Sequence, residues 1–201
     1  MSALSLLTIV GVALWVALVV AVQVLTPEQS ALSRGMSGLA SGRYGWLMKA
    51  AFVVRGLTAL ALVAAAAGSV PAAALSIPGL VLLAAWGGGS ALLACYDTDM
   101  PGGKPSRRGQ AHALVALVAY VAAAAGMALV SLQLRHAETT GMARWALFIA
   151  MVTAVALFAQ FAAFAEAARS PSHGLGRYAG LLQRVFLALV MLWTVVVAAG
   201  L

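Results

Sequence analysis

Apolar residues dominate this chain in long unbroken runs, and polar residues gather in the short stretches between them. Six runs, near 3–25, 46–67, 73–95, 110–134, 143–167 and 178–200, are each long enough to cross a membrane as a helix. About 20 helical residues span roughly 30 Å of hydrocarbon. Alanine, leucine and valine fill the runs with almost no every-second-residue polar interruption, so the pattern predicts helices rather than the strands of a membrane barrel. The expected fold is an all-α integral membrane protein, a single bundle of six transmembrane helices over residues 1–201.

The first run, LSLLTIVGVALWVALVVAVQVL, has no Lys or Arg before it, exceeds the length of a signal-peptide core and lacks a small-x-small cleavage site. It reads as the first membrane helix. In the next link Thr26-Pro27-Glu28 resembles a helix start with proline at the first helical position, which predicts a short interfacial helix before a Ser- and Gly-rich turn. Pro71 and Pro78 bracket the entry to the third span, where Pro78 is a candidate kink. Within that span WGGGS places three glycines in a row, read as a close helix contact in preference to a loosened helix.

Composition agrees: 64% of residues are hydrophobic and 8% charged, more apolar surface than one soluble core of 201 residues can hide. The net charge of +7 would suggest nucleic acid in a soluble protein. Its distribution has a topological cause instead, and no nucleic-acid partner is expected. Loops after spans one, three and five hold Arg34, Arg43, Lys104, Arg107, Arg108, Arg169 and Arg177, against Arg135 and Arg144 on the other side. Lys and Arg are retained in the cytoplasm, so both termini are expected outside a cytoplasmic membrane. Cys95 stands alone, which excludes an internal disulfide, and reads as a small buried apolar residue.

Ionisable groups inside a span are costly and call for a named partner. Arg55 lies about 13 Å beyond Trp46 at about 1.5 Å per residue, too deep to snorkel as Lys49 can, so an anionic partner is expected. Gln160 and Glu166 approach the same side on span five, and Gln183 and Arg184 on span six. His112 opens span four, while Asp97 and Asp99 close span three. Separate segments thus bring polar groups to one level, which predicts a polar vestibule open to the cytoplasm. Interhelical ion pairs among Arg55, Glu166 and Arg184 are the purely structural alternative. Phe158, Phe161 and Phe164 recur on span five, where lipid contact or core packing is favoured over cation stabilisation.

The loop CYDTDMPGGKPSRRGQAH gathers scarce charge. Asp97 and Asp99 at a frayed helix end could share one divalent cation while Lys104, Arg107 and Arg108 approach a phosphate, although the expectation is of no cofactor. Alternatively one carboxyl, its pKa raised by burial or by its neighbour, acts as general acid on an alkene or epoxide, with His112 tuning it. DTDM partly resembles the D-x-D-D acid motif of proton-initiated terpene cyclases, with Met100 in place of the last acid. No serine or Cys95 has triad partners at telling spacing, and His136 and His173 read as surface residues.

SGLASGRYGWLMKAAFVVRGL, SALLACYDTDMPG, GQAHALVALVAY and GLLQRVFLALVMLW together resemble the bacterial six-helix membrane proteins grouped as domain-of-unknown-function family 998. The resemblance implies a six-helix fold and site positions at Ser37 with Leu39, Asp99, His112 and Arg184. This chain departs from it at Tyr96-Asp97, where Phe-Pro is usual, and at Gly38, where Glu often stands.

These readings converge on a membrane-embedded enzyme acting on a lipophilic small-molecule substrate, with membrane lipid as its other partner, most specifically a terpenoid cyclase or isoprenoid-processing enzyme. Asp99 or Asp97 would donate the proton and His112 tune it. Ser37, Arg55, Gln160, Phe161, Glu166, Gln183 and Arg184 would bind substrate or orient the site, with Trp86 and Trp193 shielding a developing cation in an apolar chamber. A small-molecule or lipid transporter is the alternative, followed by a non-catalytic accessory membrane protein.

Overall fold

The computed structural model describes residues 1–201 except 73–74, 100–104, 137–140 and 171–172. Its six long helices are α1 (Ala3–Leu25), α2 (Gly45–Ser69), α3 (Ile77–Leu92), α4 (Arg107–His136), α5 (Met142–Ala167) and α6 (Ala179–Ala199). Short 3₁₀ turns at Met36–Ser41, Leu93–Cys95 and Gly176–Tyr178 attach to α2, α3 and α6 respectively. Each helix packs against its neighbours in sequence and α1 returns to α6, which closes the six into a ring. All six helices are long and apolar enough to cross a membrane, the α3 span counted through to Cys95. This is a multi-pass membrane protein.

Many large apolar side chains point outward, among them Val155 at 70% and Phe158 at 74% exposure. In a hydrocarbon solvent that face costs nothing, and what must be hidden is polar. The most apolar window of α1 is 28% buried, whereas those of α2 and the Gly176–Ala199 span are 50% buried. The two innermost helices are thus the ones that carry Arg55, Gln183 and Arg184.

Small residues set the helix contacts. A Cβ on Gly56 would stand 2.6 Å from the Gly87 carbonyl oxygen, so α2 and α3 touch backbone to backbone. Gly89 faces Ala119 of α4 and Gly88 faces open space. The triple glycine therefore works as a packing device on two sides of α3.

Two element boundaries differ from the sequence expectation. Thr26 does not open a helix: its Oγ1 donates to the Val22 carbonyl at 2.7 Å, which ends α1, and the following helical residues are those of the Met36–Ser41 turn. α3 starts at Ile77, later than residue 73, because the Ser76 hydroxyl accepts the Gly79 N–H. Pro78 then sits in the first turn, where its missing N–H is not needed, and produces no kink.

Candidate functional site

Four helices contribute to a buried polar cluster toward the end of the bundle that bears the 26–44 link. Arg55 lies about 15 Å along α2 from Gly45 and is wholly buried. Its Nε donates to Ser90 Oγ of α3 at 3.2 Å. The guanidinium carbon lies 5.6 Å from the Phe52 ring centroid and 5.9 Å from that of Tyr120 on α4. From α6, Gln183 Nε2 donates to the Tyr120 hydroxyl at 3.2 Å, while Gln183 Oε1 accepts the Met36 N–H at 2.7 Å. The polar groups are thereby linked from α3 through α2 and α4 to α6 and the 26–44 link.

The anionic partner expected for Arg55 is not there. Asp97 pairs with Lys49 at 2.7 Å, and among the described residues Arg55 Nη1 and Nη2 meet no carboxylate and no well-aligned acceptor, although the Tyr120 hydroxyl stands nearby. Trp86 Nε1, also buried without an acceptor, lies four residues before Ser90 and so on the same face of α3.

Arg184 is handled differently. Its Nη1 donates to the carbonyls of Ala31, Arg34 and Gly180 at 2.8, 2.9 and 3.0 Å, and its Nη2 to Gln23 Oε1 at 2.6 Å. The Leu181 N–H adds a bond to the Leu32 carbonyl, and Gly180 admits the Arg34 carbonyl to 2.3 Å from where a Cβ would be. Arg184 therefore fastens the 26–44 link to α6. Glu166 is likewise local, accepting the Leu175 N–H at 3.0 Å. The ion pairs considered among Arg55, Glu166 and Arg184 do not form, since each group takes partners of another kind.

The two aspartates are divided. Asp97 pairs with Lys49, whose hydrogen bond and charge hold its carboxyl below the ordinary value of 3.8. Asp99 accepts from Ser106 Oγ at 2.6 Å and Ser106 N at 3.0 Å, and these bonds lower its pKa too. Ser106 Oγ then receives the Gly109 N–H, so Asp99 completes the start of α4. Neither carboxyl meets the condition of a raised pKa on which a general acid depends. The two carboxyls thus take separate partners, and among the described residues no three metal-capable side chains converge. Lys104 and Met100 lie outside the described residues.

His112 is buried against Phe52, with ring centroids 6.1 Å apart, and its Nδ1 lies 2.9 Å from the Tyr96 carbonyl. A carbonyl only accepts, so Nδ1 carries the proton and Nε2 presents the lone pair in the neutral ring. Gln160 is buried on α5 with Oε1 unpartnered, Phe161 packs partly buried against the core, and Ser37 sits half-buried beside Met36. Phe158 faces outward, as lipid contact requires, whereas Phe164 is 36% exposed and sets the edge of its ring against Gly35 of the 26–44 link. Trp193 bonds Ser131 at 2.9 Å from well down α6, toward the opposite end, and is not a wall of the cluster. His136 and His173 are exposed, as is Cys95, which the sequence had placed inside.

The vestibule is covered, not open. Met36 and Leu39 are buried over the cluster's end, held by apolar packing and by the bond to Gln183. Phe52, Trp86 and Phe186, all buried, fill the level where an apolar chamber was expected. A recess of about 190 Å³ lies at the other end, lined by Ser69, Val70, Leu134, Met142 and Gly200.

Ser90 and Tyr120 were missed as site residues. Tyr120 gave a signal, being the one tyrosine deep inside a span, where a phenol needs a partner. Ser90 gave none, since a serine beside three glycines reads as packing.

A family model described as "protein of unknown function (DUF998)" matches residues 9–200 of the chain. No curated protein and no solved structure matches it.

Proposed function

We propose, for a chain that belongs to the DUF998 family and inherits no activity from it, a membrane-embedded enzyme that acts on a lipophilic substrate of the isoprenoid-processing kind. The observation that carries this reading is the convergence of Arg55, Ser90, Tyr120, Gln183 and His112 from four helices into one buried cluster. Buried polar groups in a membrane are retained against their cost when they serve a pathway or a reaction. Enzyme is favoured over carrier because the arginines set inside the bundle, Arg55 and Arg184, lie toward one end. In the other half Thr8, Thr58, Thr153 and Thr194 each donate to the carbonyl four residues earlier, which supports a sealed, packed half rather than a polar path.

Within that reading, proton handling passes from Asp97 and Asp99 to His112, whose Nε2 is the free position. Carboxylic-acid-initiated terpenoid cyclisation is the version with less support, because both carboxyls are held ionised. The site lies on the cytoplasmic side of a cytoplasmic membrane with both termini outside, as the Lys and Arg distribution suggests.

Incubating the purified protein with prenylated alcohols, acids and diphosphates, followed by chromatography, tests the activity. The reading expects a rearranged product that is lost in His112→Gln and kept in Asp97→Asn and Asp99→Asn. Uptake into proteoliposomes with no chemical change would replace it with transport. Orientation is checked by labelling Ser33→Cys, in a Cys95→Ser background, with an impermeant maleimide. Labelling from outside intact cells would reverse the topology.

A further inference from the structure

We infer that Arg55 anchors a singly charged oxyanion, a carboxylate or phosphodiester, borne by the lipophilic substrate; this rests on the cluster being the substrate site. The first ground is unspent donor capacity. Arg55 is 0% exposed, uses Nε on Ser90, and among the described residues has no well-aligned acceptor at Nη1 or Nη2, the nearby Tyr120 hydroxyl being bonded to Gln183 instead. Guanidinium presents this pair as parallel N–H bonds that match two oxygens of one carboxylate or phosphate. The Phe52 and Tyr120 rings ease the buried charge but offset only part of its dehydration.

The second ground is independent of arginine. Trp86 brings another buried N–H without an acceptor to the α3 face that holds Ser90. An indole N–H only donates, so the free groups of Arg55 and Trp86 together ask for a ligand rich in acceptors.

Charge balance selects among oxyanions. Lys49 is neutralised by Asp97, and Arg184 is spent on carbonyls of the 26–44 link and Gly180 and on Gln23, so Arg55 supplies one positive charge to the cluster. A singly charged head leaves the buried site neutral. A diphosphate would carry surplus negative charge into a low-dielectric interior, which is unfavourable. Seating the head requires the Met36–Ser41 turn to lift from Gln183.

The test uses the full-length protein in nanodiscs and four probes of one tail: farnesoic acid, farnesyl methyl phosphate, farnesol and farnesyl diphosphate, with acetate and inorganic phosphate as free anions. Saturable thermal stabilisation by the first two is expected, weaker by at least tenfold for the others. Arg55→Gln should weaken binding of farnesoate on the order of a hundredfold, and Arg55→Lys less. Ser90→Ala, which frees Nε without removing charge, should cost about tenfold and serves where Arg55→Gln does not fold.

Unchanged farnesoate binding in Arg55→Gln or in Ser90→Ala would overturn the anchor. Equal binding of farnesol would overturn the charge requirement, tighter binding of the diphosphate the single-charge rule, and equal binding of acetate or phosphate the amphiphile. Binding without turnover keeps this inference and sinks the enzyme reading. Turnover that survives Arg55→Gln does the reverse.

Discussion

Arg55 and Arg184 lie under the same end of the bundle, on its two most buried helices, and their surroundings differ in kind. Arg184 reaches three carbonyls and an amide oxygen, drawn from the 26–44 link, α6 and α1. Arg55 reaches one hydroxyl and two aromatic faces. An arginine set inside the bundle is therefore not by itself a sign of function. One whose terminal nitrogens are both engaged by oxygens of the chain explains a joint in the fold, whereas one whose fork lacks such an acceptor calls for a partner from elsewhere.

Mutation can break this contrast, most sharply at Arg184. Arg184→Met leaves carbonyls of the link unpaired and should cost about 3 kcal/mol, read as a lower unfolding midpoint in detergent and faster proteolysis between residues 26 and 44. A stability equal to the native protein would remove its fastening role. Gly180→Ala attacks the same joint from the backbone side. Its Cβ would lie 2.3 Å from the Arg34 carbonyl oxygen, and overpacking of this sort costs about 1–3 kcal/mol.

Gln183→Ala sharpens the comparison by cutting what lies between the two arginines. It leaves the buried Met36 N–H and Tyr120 hydroxyl unpaired, a loss of about 2 kcal/mol, with quicker hydrogen exchange at Met36 as the direct readout. Arg55→Met should move the other way. Replacing a buried, under-solvated charge by a thioether of similar length is expected to be neutral or to stabilise by about 1 kcal/mol without ligand. A large destabilisation would show that Arg55, like Arg184, is already satisfied.

The smallest effect belongs to Asp97. Lys49 lowers its folded pKa, so the pair contributes fully above the unfolded value of about 4 and fades as pH falls through the lowered one. Both side chains are more than a third exposed, which limits the contribution to under about 1 kcal/mol. Asp97→Asn should lower the unfolding midpoint slightly at pH 7 and match the native protein at pH 2.

The level at which polar groups meet was legible, because helix rise converts sequence position into depth: Arg55, His112 and Gln183 are all found buried toward one end. Their partners were not legible. The oxyanion reading rests on Ser90 and Trp86 sharing a face of α3 beside Arg55, a juxtaposition made by the backbone contact of Gly56 with Gly87. Asp97 and Asp99 looked like one acidic unit because they are two residues apart. They separate because Lys49 comes from α2 and Ser106 from the start of α4, elements that only the closed ring brings to the same loop.

The sequence by itself determined six spans and the class of fold, since twenty unbroken apolar residues have few ways to satisfy their backbone in hydrocarbon other than as a helix. It also placed Arg55 too deep to reach water easily along its own side chain. Only the tertiary structure decided which arginine was spent. Hydrogen-bond partners are chosen by distance and angle across helices, and those are set by how closely Gly56, Gly87 and Gly180 let the backbones approach.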